Sequence, residues 1–249
     1  MKAVSSMASR EACLDVHVHL GKSRDGATVG LTEIRQAMAE NGITRAVVFG
    51  IDEPDAGPTY ERTNERVLRA LEKHSRLMAF ARLNPKAGSR AAAELGRCIK
   101  RGARGVKLHP RSEAFSPQEA EFLIDVIEKE KLPVILHTSH EVNCRPYNWK
   151  PIFRRHRRVP FILAHGAKDA FEEAIEVART CPNVWVETTT LSYWRTGVIL
   201  KKLGPGRVVF GSDLPYSHPA VERQKFDLLL SCAGRRKVYF ENASRILGE

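Results

Sequence analysis

Eight short runs of aliphatic, β-branched and aromatic residues recur along the chain, and their spacing constrains the fold more than any other feature. They are LDVHVHL (14–20), TRAVVFG (44–50), LMAFARL (77–83), ARGVKLH (103–109), PVILHTS (133–139), PFILAHG (160–166), VWVETT (184–189) and RVVFGSD (207–213). Consecutive runs begin roughly 23–33 residues apart, the length of one strand–helix unit. Each gap has room for a helix, and several carry start and stop signals. LTEIRQAMAENG (31–42) has Thr32 as an N-cap and Gly42 just past its end. SPQEAEFLIDVIEKEKLP (116–133) opens on Ser116 with Pro117 at the first helical position and closes before Pro133. DAFEEAIEVARTCP (169–182) starts at Asp169 and stops before Pro182, and ENASRILG (241–248) reads as a final short helix ended by Gly248. DEPDAGPTYER (52–62) and HEVNCRPYNWKP (140–151) read as loops that follow strands.

Strands alternating with helices eight times over predict an α/β protein, a (β/α)8 TIM barrel. The length of 249 residues suits one such domain. We therefore expect a barrel over 13–249 and a flexible lead-in at 1–12. An open doubly wound sheet is the alternative. That fold advertises a glycine-rich turn after its first strand, and HLGKSRDG (19–26) is no GxGxxG.

Barrel strands are buried on both faces, so polar residues on them are conspicuous, and here they gather at the C-terminal ends of the runs. Asp15, His17 and His19 alternate on the first run and are expected on one face. Lys107 and His109 lie on the fourth run, His137 on the fifth, His165 on the sixth and Asp213 on the eighth. In a barrel these ends converge at one mouth, where active sites sit. A lone strand histidine is more often a satisfied core residue than a ligand. Several imidazoles and a carboxylate at converging positions form instead a donor set for Zn²⁺ or a similar divalent ion.

The motifs DVHVHLG, GVKLHP, LHTS, LAHGA, VVFGSDLP and ENASRIL, in this order from Asp15 to Leu247, resemble the amidohydrolase superfamily. The nearest likeness is its amidohydrolase-2 branch of aminocarboxymuconate-semialdehyde decarboxylase-like metal-dependent hydrolases. The resemblance implies a distorted barrel with one divalent metal at its mouth: Zn²⁺ first, Mn²⁺ or Fe²⁺ as alternatives. It implies His17, His19, His137 and Asp213 as ligands, with Asp213 also orienting the reacting water and His165 as catalytic acid/base. The reaction expected is hydrolysis, or non-oxidative decarboxylation, of a small carboxylated or cyclic substrate by metal-activated water. Asp15 fits a supporting carboxylate behind the ligands.

Two alternatives stay open. VKLHP also resembles dihydroorotase-like cyclic amidohydrolases, in which a carboxylated lysine bridges two metals; Lys107 would then carry CO₂ and His165 would become a ligand. A TatD-like metal-dependent nuclease shares the first-strand HxH but carries a glutamate where this chain has Lys107 and His109. In the mononuclear reading Lys107 and His109 face the substrate, joined by loop residues such as Arg145 and Trp194. Arg111, Tyr147, Tyr193, Arg195, Tyr216 and His218 are further loop candidates for the pocket.

The formal net charge of +11 raises the question of a polyanionic partner. Its basic runs, RCIKRGAR (97–104), KEK (129–131), RRHRR (154–158), KKLGPGR (201–207) and RRK (235–237), precede strands or follow helices. That puts them on the face opposite the mouth, where cations complement helix C-termini. We expect a small-molecule substrate, no specific nucleic acid and no membrane, with a homodimer left open. The five scattered cysteines form no CxxC pair, and MKAVSSMASR (1–10) lacks a signal-peptide core. Both features fit a reduced, cytoplasmic setting.

Overall fold

The computed structural model describes residues 12–249; apart from Ala12, the expected lead-in lies outside the described residues. Eight strands follow the eight runs: β1 (Leu14–Lys22), β2 (Arg45–Gly50), β3 (Leu77–Ala79, continuing as Ala81–Arg82), β4 (Val106–Leu108), β5 (Val134–His137), β6 (Phe161–Ala164), β7 (Val184–Glu187) and β8 (Val208–Val209). Each pairs in parallel with the next. The two parts of β3 join the sheets on either side, Phe80 N donating to Val48 O at 2.9 Å and Ala81 N to Gly105 O at 2.9 Å. The ring closes between β1 and the segment after β8. Val16 N donates to Phe210 O at 3.0 Å, Asp213 N to His17 O at 2.7 Å, and Val18 bridges Leu214 in parallel. The result is a (β/α)8 barrel, distorted at this last seam because β8 is only two residues long.

Two apolar clusters reflect the strand alternation. One fills the barrel interior with Leu14, Val16, Val47, Phe49, Met78, Phe80, Ile135, Ile162 and Val209, and the C-terminal helix Asn242–Leu247 contributes Ala243, Ile246 and Leu247 to it. The other, with Val48, Val106, Leu108, Val134, Leu136, Phe161 and Leu163, faces the surrounding helices. On β4 and β5 the inward parity therefore falls to Lys107 and to Ile135 with His137. Toward the C-terminal ends the inward layer turns from apolar to polar, the barrel arrangement that builds a site on a packed floor.

A register shift between Asp15 and Val18 on β1 changes one expectation. Leu14 and Val16 face the interior, whereas Val18 and Leu20 face the helices. The bulge thus reverses the alternation and takes Asp15 off the face shared by His17 and His19.

Helix ends follow their signals where a side chain can cap. Ser116 Oγ accepts from Glu119 N at 3.3 Å and starts Pro117–Lys129. The first helix differs: Leu31–Glu40 begins after Gly30, whose N–H donates to Glu33 at 3.1 Å, so Thr32 lies inside it. Asp169 does not open a helix either, because the chain first makes an irregular turn at His165–Ala170 before Phe171–Thr180. The stretch 140–151 is loop only in its first half, since Pro146–Arg155 is helical. Many of the basic residues opposite the mouth are paired, Arg101 with Glu65 and Glu72, Arg155 with Glu121, Arg158 with Glu128 and Arg104 with Glu249. Among the described residues, no helix is long and apolar enough to cross a membrane.

Candidate active site

A cavity of about 470 Å³ opens at the C-terminal mouth and is lined by His17, His19, Lys107, His109, His137, His165 and Asp213, together with Arg24, Arg82, Lys168 and Tyr216. Asp213 is its hub. Its Oδ1 lies 3.1 Å from His17 Nε2 and 3.1 Å from His19 Nε2, and its Oδ2 lies 3.9 Å from His165 Nδ1. Two donors bound to one ion at about 2.1 Å sit about 3 Å apart, so the two 3.1 Å spacings fit a shared ion. Donor atoms of His17, His165 and Asp213 all fall within 4.8 Å of one another, and all three residues are buried. Of the four expected ligands, His19 and His137 lie outside that tight set, although His19 Nε2 meets Asp213; His137 is the farther placed of the two by its contacts. Its ring stacks on His109 at 3.8 Å and meets His165 edge-on at 4.8 Å, and its buried Nε2 has no hydrogen-bond partner. An unpaired buried imidazole nitrogen is costly unless it has a ligand, so the donor set fits a bound metal.

Glu187, at the end of β7, orients two of these rings. His17 Nδ1–H donates to its Oε2 at 3.0 Å, which leaves Nε2 directed at Asp213. Thr189 Oγ1–H donates to the same carboxylate at 2.8 Å, so it accepts from His165 Nδ1–H at 3.0 Å. His165 therefore presents a lone pair at Nε2. Carboxylate or hydroxyl partners of this kind fix the tautomers of ligating histidines. Gly211 is required here by space: a Cβ on it would lie 2.8 Å from His17 Cβ and 2.9 Å from Glu187 Cγ. Asp15 lies behind, accepting from His17 N at 3.0 Å and Ser212 N at 2.9 Å.

The packed floor sets the protonation states. Burial lowers His19 to about 4 and His165 to about 3, and holds His109 and His137 well below the usual histidine value. Burial and Lys107 also act against charge on His17, but Asp213 and Glu187 outweigh them and its pKa lies above normal. Burial opposes ionisation of Asp213 too, yet His17 and His165 hold it well below the carboxylate range. His19, His137 and His165 are thus neutral beside an ionised Asp213, as metal binding requires, whereas His17 must release a proton when an ion binds. Burial also lowers Lys107 to about 7; its Nζ sits 3.4 Å from His17 Nε2 and 4.7 Å above the Phe49 ring.

Two expected substrate contacts are not brought to the cavity. Arg145 is turned to Glu173, which it contacts through Nε at 2.8 Å. Trp194 is 65% exposed and packs edge-on against Phe171. Tyr147, Tyr193, Arg195 and His218 also lie outside the lining, whereas Arg111 and Tyr216 belong to it. Residues that sequence reasoning passed over include Glu187, Lys168 and Arg82. Arg82 is 1% exposed and donates through Nε and Nη2 to Glu113 at 3.1 and 2.7 Å, with Tyr60 Oη on the same oxygen at 2.7 Å. A charge inside LMAFARL or at the end of VWVE was the available signal, the same one that exposed the histidines.

A (β/α)8 barrel with imidazoles and a carboxylate converging at its mouth defines a metal-dependent enzyme class. The profile of the amidohydrolase family matches residues 14–248, and the chain belongs to that family. It is an enzyme of the amidohydrolase superfamily, whose members include metal-dependent hydrolases and decarboxylases. Solved structures share the fold at low identity. A TIM-barrel protein from Bordetella bronchiseptica has TM-score 0.79 and 17% identity, over 95% of this chain and 98% of that one. A candidate 2-pyrone-4,6-dicarboxylic acid hydrolase from Pseudomonas putida has TM-score 0.73 and 17% identity, over 96% and 98%. A dihydroxybenzoic acid decarboxylase from Polaromonas sp. JS666, with bound manganese and the inhibitor 2-nitroresorcinol, has TM-score 0.75 and 15% identity, over 96% and 97%. Comparison with curated proteins gives no match.

Proposed function

We propose that the protein is a metal-dependent hydrolase or non-oxidative decarboxylase of a small carboxylated or cyclic substrate. One divalent ion, Zn²⁺ first and Mn²⁺ or Fe²⁺ as alternatives, is held by His17, His19, His137 and Asp213. The observation that carries this reading is the meeting of His17 Nε2 and His19 Nε2 on Asp213 Oδ1, each at 3.1 Å. When bound, the ion supplies Lewis acidity and lowers the pKa of water toward about 7.

The remaining steps fall to side chains. His165, with its proton held on Nδ1 by Thr189, takes and returns a proton at Nε2. His109 Nδ1 accepts from Ser112 N at 3.2 Å, so Nε2–H is the donor offered to the substrate. Lys107 supplies a second donor from β4. The substrate class is supported by the low-identity neighbours, whose names denote acids carried on rings.

A dinuclear site with Lys107 carboxylated is the second reading. It is favoured by the 3.4 Å approach of Lys107 Nζ to His17 Nε2 and by the membership of His165 in the tight donor set. Elemental analysis of native protein, combined with a screen of small lactones, amides and unsaturated carboxylates, tests both. One metal per chain and turnover in that panel are expected. Two metals per chain, with a carbamate on Lys107, would establish the second reading; protein that takes up no divalent ion contradicts both.

A further inference from the structure

The cations lining the cavity are Arg24, Arg82, Lys107, Arg111 and Lys168. Three of them are held by carboxylates, and a fourth, Lys107, is the donor proposed at the floor. Arg24 approaches Asp52 at 3.7 Å and Pro54 O at 3.3 Å, Arg82 is held by Glu113, and Arg111 approaches Glu141 at 3.3 Å. Lys107 is buried at the floor beside His17. Of these five lining cations, Lys168 is the one whose ammonium has neither a hydrogen-bond nor an ion-pair partner among the described residues, while its charge acts on His137.

Its backbone is unusual as well. Residues 165–168 all have positive φ, and Lys168 adopts φ 51°, ψ −115°. The chain takes nearly the same conformation at residue 88, with φ 54° and ψ −126°, and uses glycine there. Side-chain-bearing residues in such regions are strained and cluster at functional sites, held by their surroundings. The restraint is visible: His165 N donates to Glu187 at 3.2 Å and Ala167 N to Thr138 Oγ1 at 3.1 Å. A glycine at 168 would relieve the strain and remove the cation.

The geometry points to Lys168 as the residue that selects substrates by pairing with a carboxylate remote from the reacting bond. This deepens the proposed function and rests on the same cavity being the substrate site. A charged hydrogen bond at a half-enclosed rim is worth about tenfold or more in affinity.

The test uses metal-loaded full-length protein and calorimetric titration with benzoate, isophthalate and glutarate, with benzamide as the neutral control. At least one carboxylate should bind the native protein. Its affinity should fall about tenfold or more in Lys168→Gln and stay within about threefold in Lys168→Arg, with benzamide unchanged. Lys168→Gly should lose the same affinity while melting no lower than native, which separates ligand loss from misfolding. Equal carboxylate affinity in native and Lys168→Gln overturns the inference, as does a native protein that binds none of the three. Metal content, read on the same samples, reports the metal-dependent reading separately: Lys168-dependent binding without a bound ion would overturn that reading alone.

Discussion

Glu187 and His17 lie on β7 and β1, 170 residues apart in sequence, and His17 Nδ1 meets Glu187 Oε2 at 3.0 Å with both side chains buried. Because the carboxylate holds the Nδ1 proton, His17 Nε2 is the nitrogen left for Asp213 and for a metal. Through Thr189 and the His165 amide, the same carboxylate also sets the second ring. One side chain thus fixes the proposed metal donor and the proposed proton carrier together.

Glu187→Gln removes the charge while keeping the shape. Metal affinity should fall about 10–100-fold, the usual consequence of losing a carboxylate behind a ligating histidine. Competition against a chromophoric chelator reads the change directly; unaltered affinity would show that Glu187 does not orient His17.

Arg82 and Glu113 form a buried pair beneath the cavity, both side chains 1% exposed. Removing one partner leaves the other charge uncompensated in an apolar surround, which costs about 3–5 kcal/mol. Urea denaturation of Glu113→Ala should show a loss of that size. A loss below about 1 kcal/mol would mean that solvent or Asp52 replaces the lost partner.

The buried histidines give the ion-free protein an acid limit. His19 at about 4 and His165 at about 3 return to about 6.5 on unfolding, and burial keeps His109 and His137 low as well. Within that window the unfolded chain binds more protons, so stability falls as pH drops from about 6.5 toward 4. Burial raises Asp15 to about 7 and raises Glu113 and Glu222, which works in the opposite direction over part of the window. The raised His17 acts only above it. The histidines prevail, each net proton contributing about 1.4 kcal/mol per pH unit. Chemical denaturation of chelator-treated protein should give a lower midpoint at pH 5 than at pH 7; an equal or higher midpoint at pH 5 contradicts the assignment.

Arg145 and Trp194 were expected to touch substrate and do not reach the cavity. Arg145→Ala and Trp194→Ala should each leave kcat/KM within about twofold on whichever substrate the screen yields. A larger fall would show that the mouth closes over these loops during turnover.

The barrel was legible because strand runs and helix caps are local signals repeated eight times, and inward histidines stand out on strands that must otherwise be apolar. What stayed hidden depended on contacts distant in sequence. The β1 bulge that turns Asp15 away from His17 is set by pairing with β2, which the alternation of 14–20 alone does not encode. Arg145 looked like a pocket cation because it follows β5, but Glu173, on a helix 28 residues later, captures it. Lys168 was passed over for the converse reason: its place at the mouth comes from the left-handed turn after His165, a conformation that local propensity assigns to glycine.

The most direct test of the account is the metal content of two variants, His137→Ala and His165→Ala, purified and loaded alongside native protein. The account predicts about one divalent ion per chain in native protein and in His165→Ala, the latter without activity, and loss of most of the metal in His137→Ala. Retention of metal by His137→Ala together with its loss from His165→Ala would contradict it, because the ion would then be held by the compact His17–His165–Asp213 set and the proton carrier would have to be another residue.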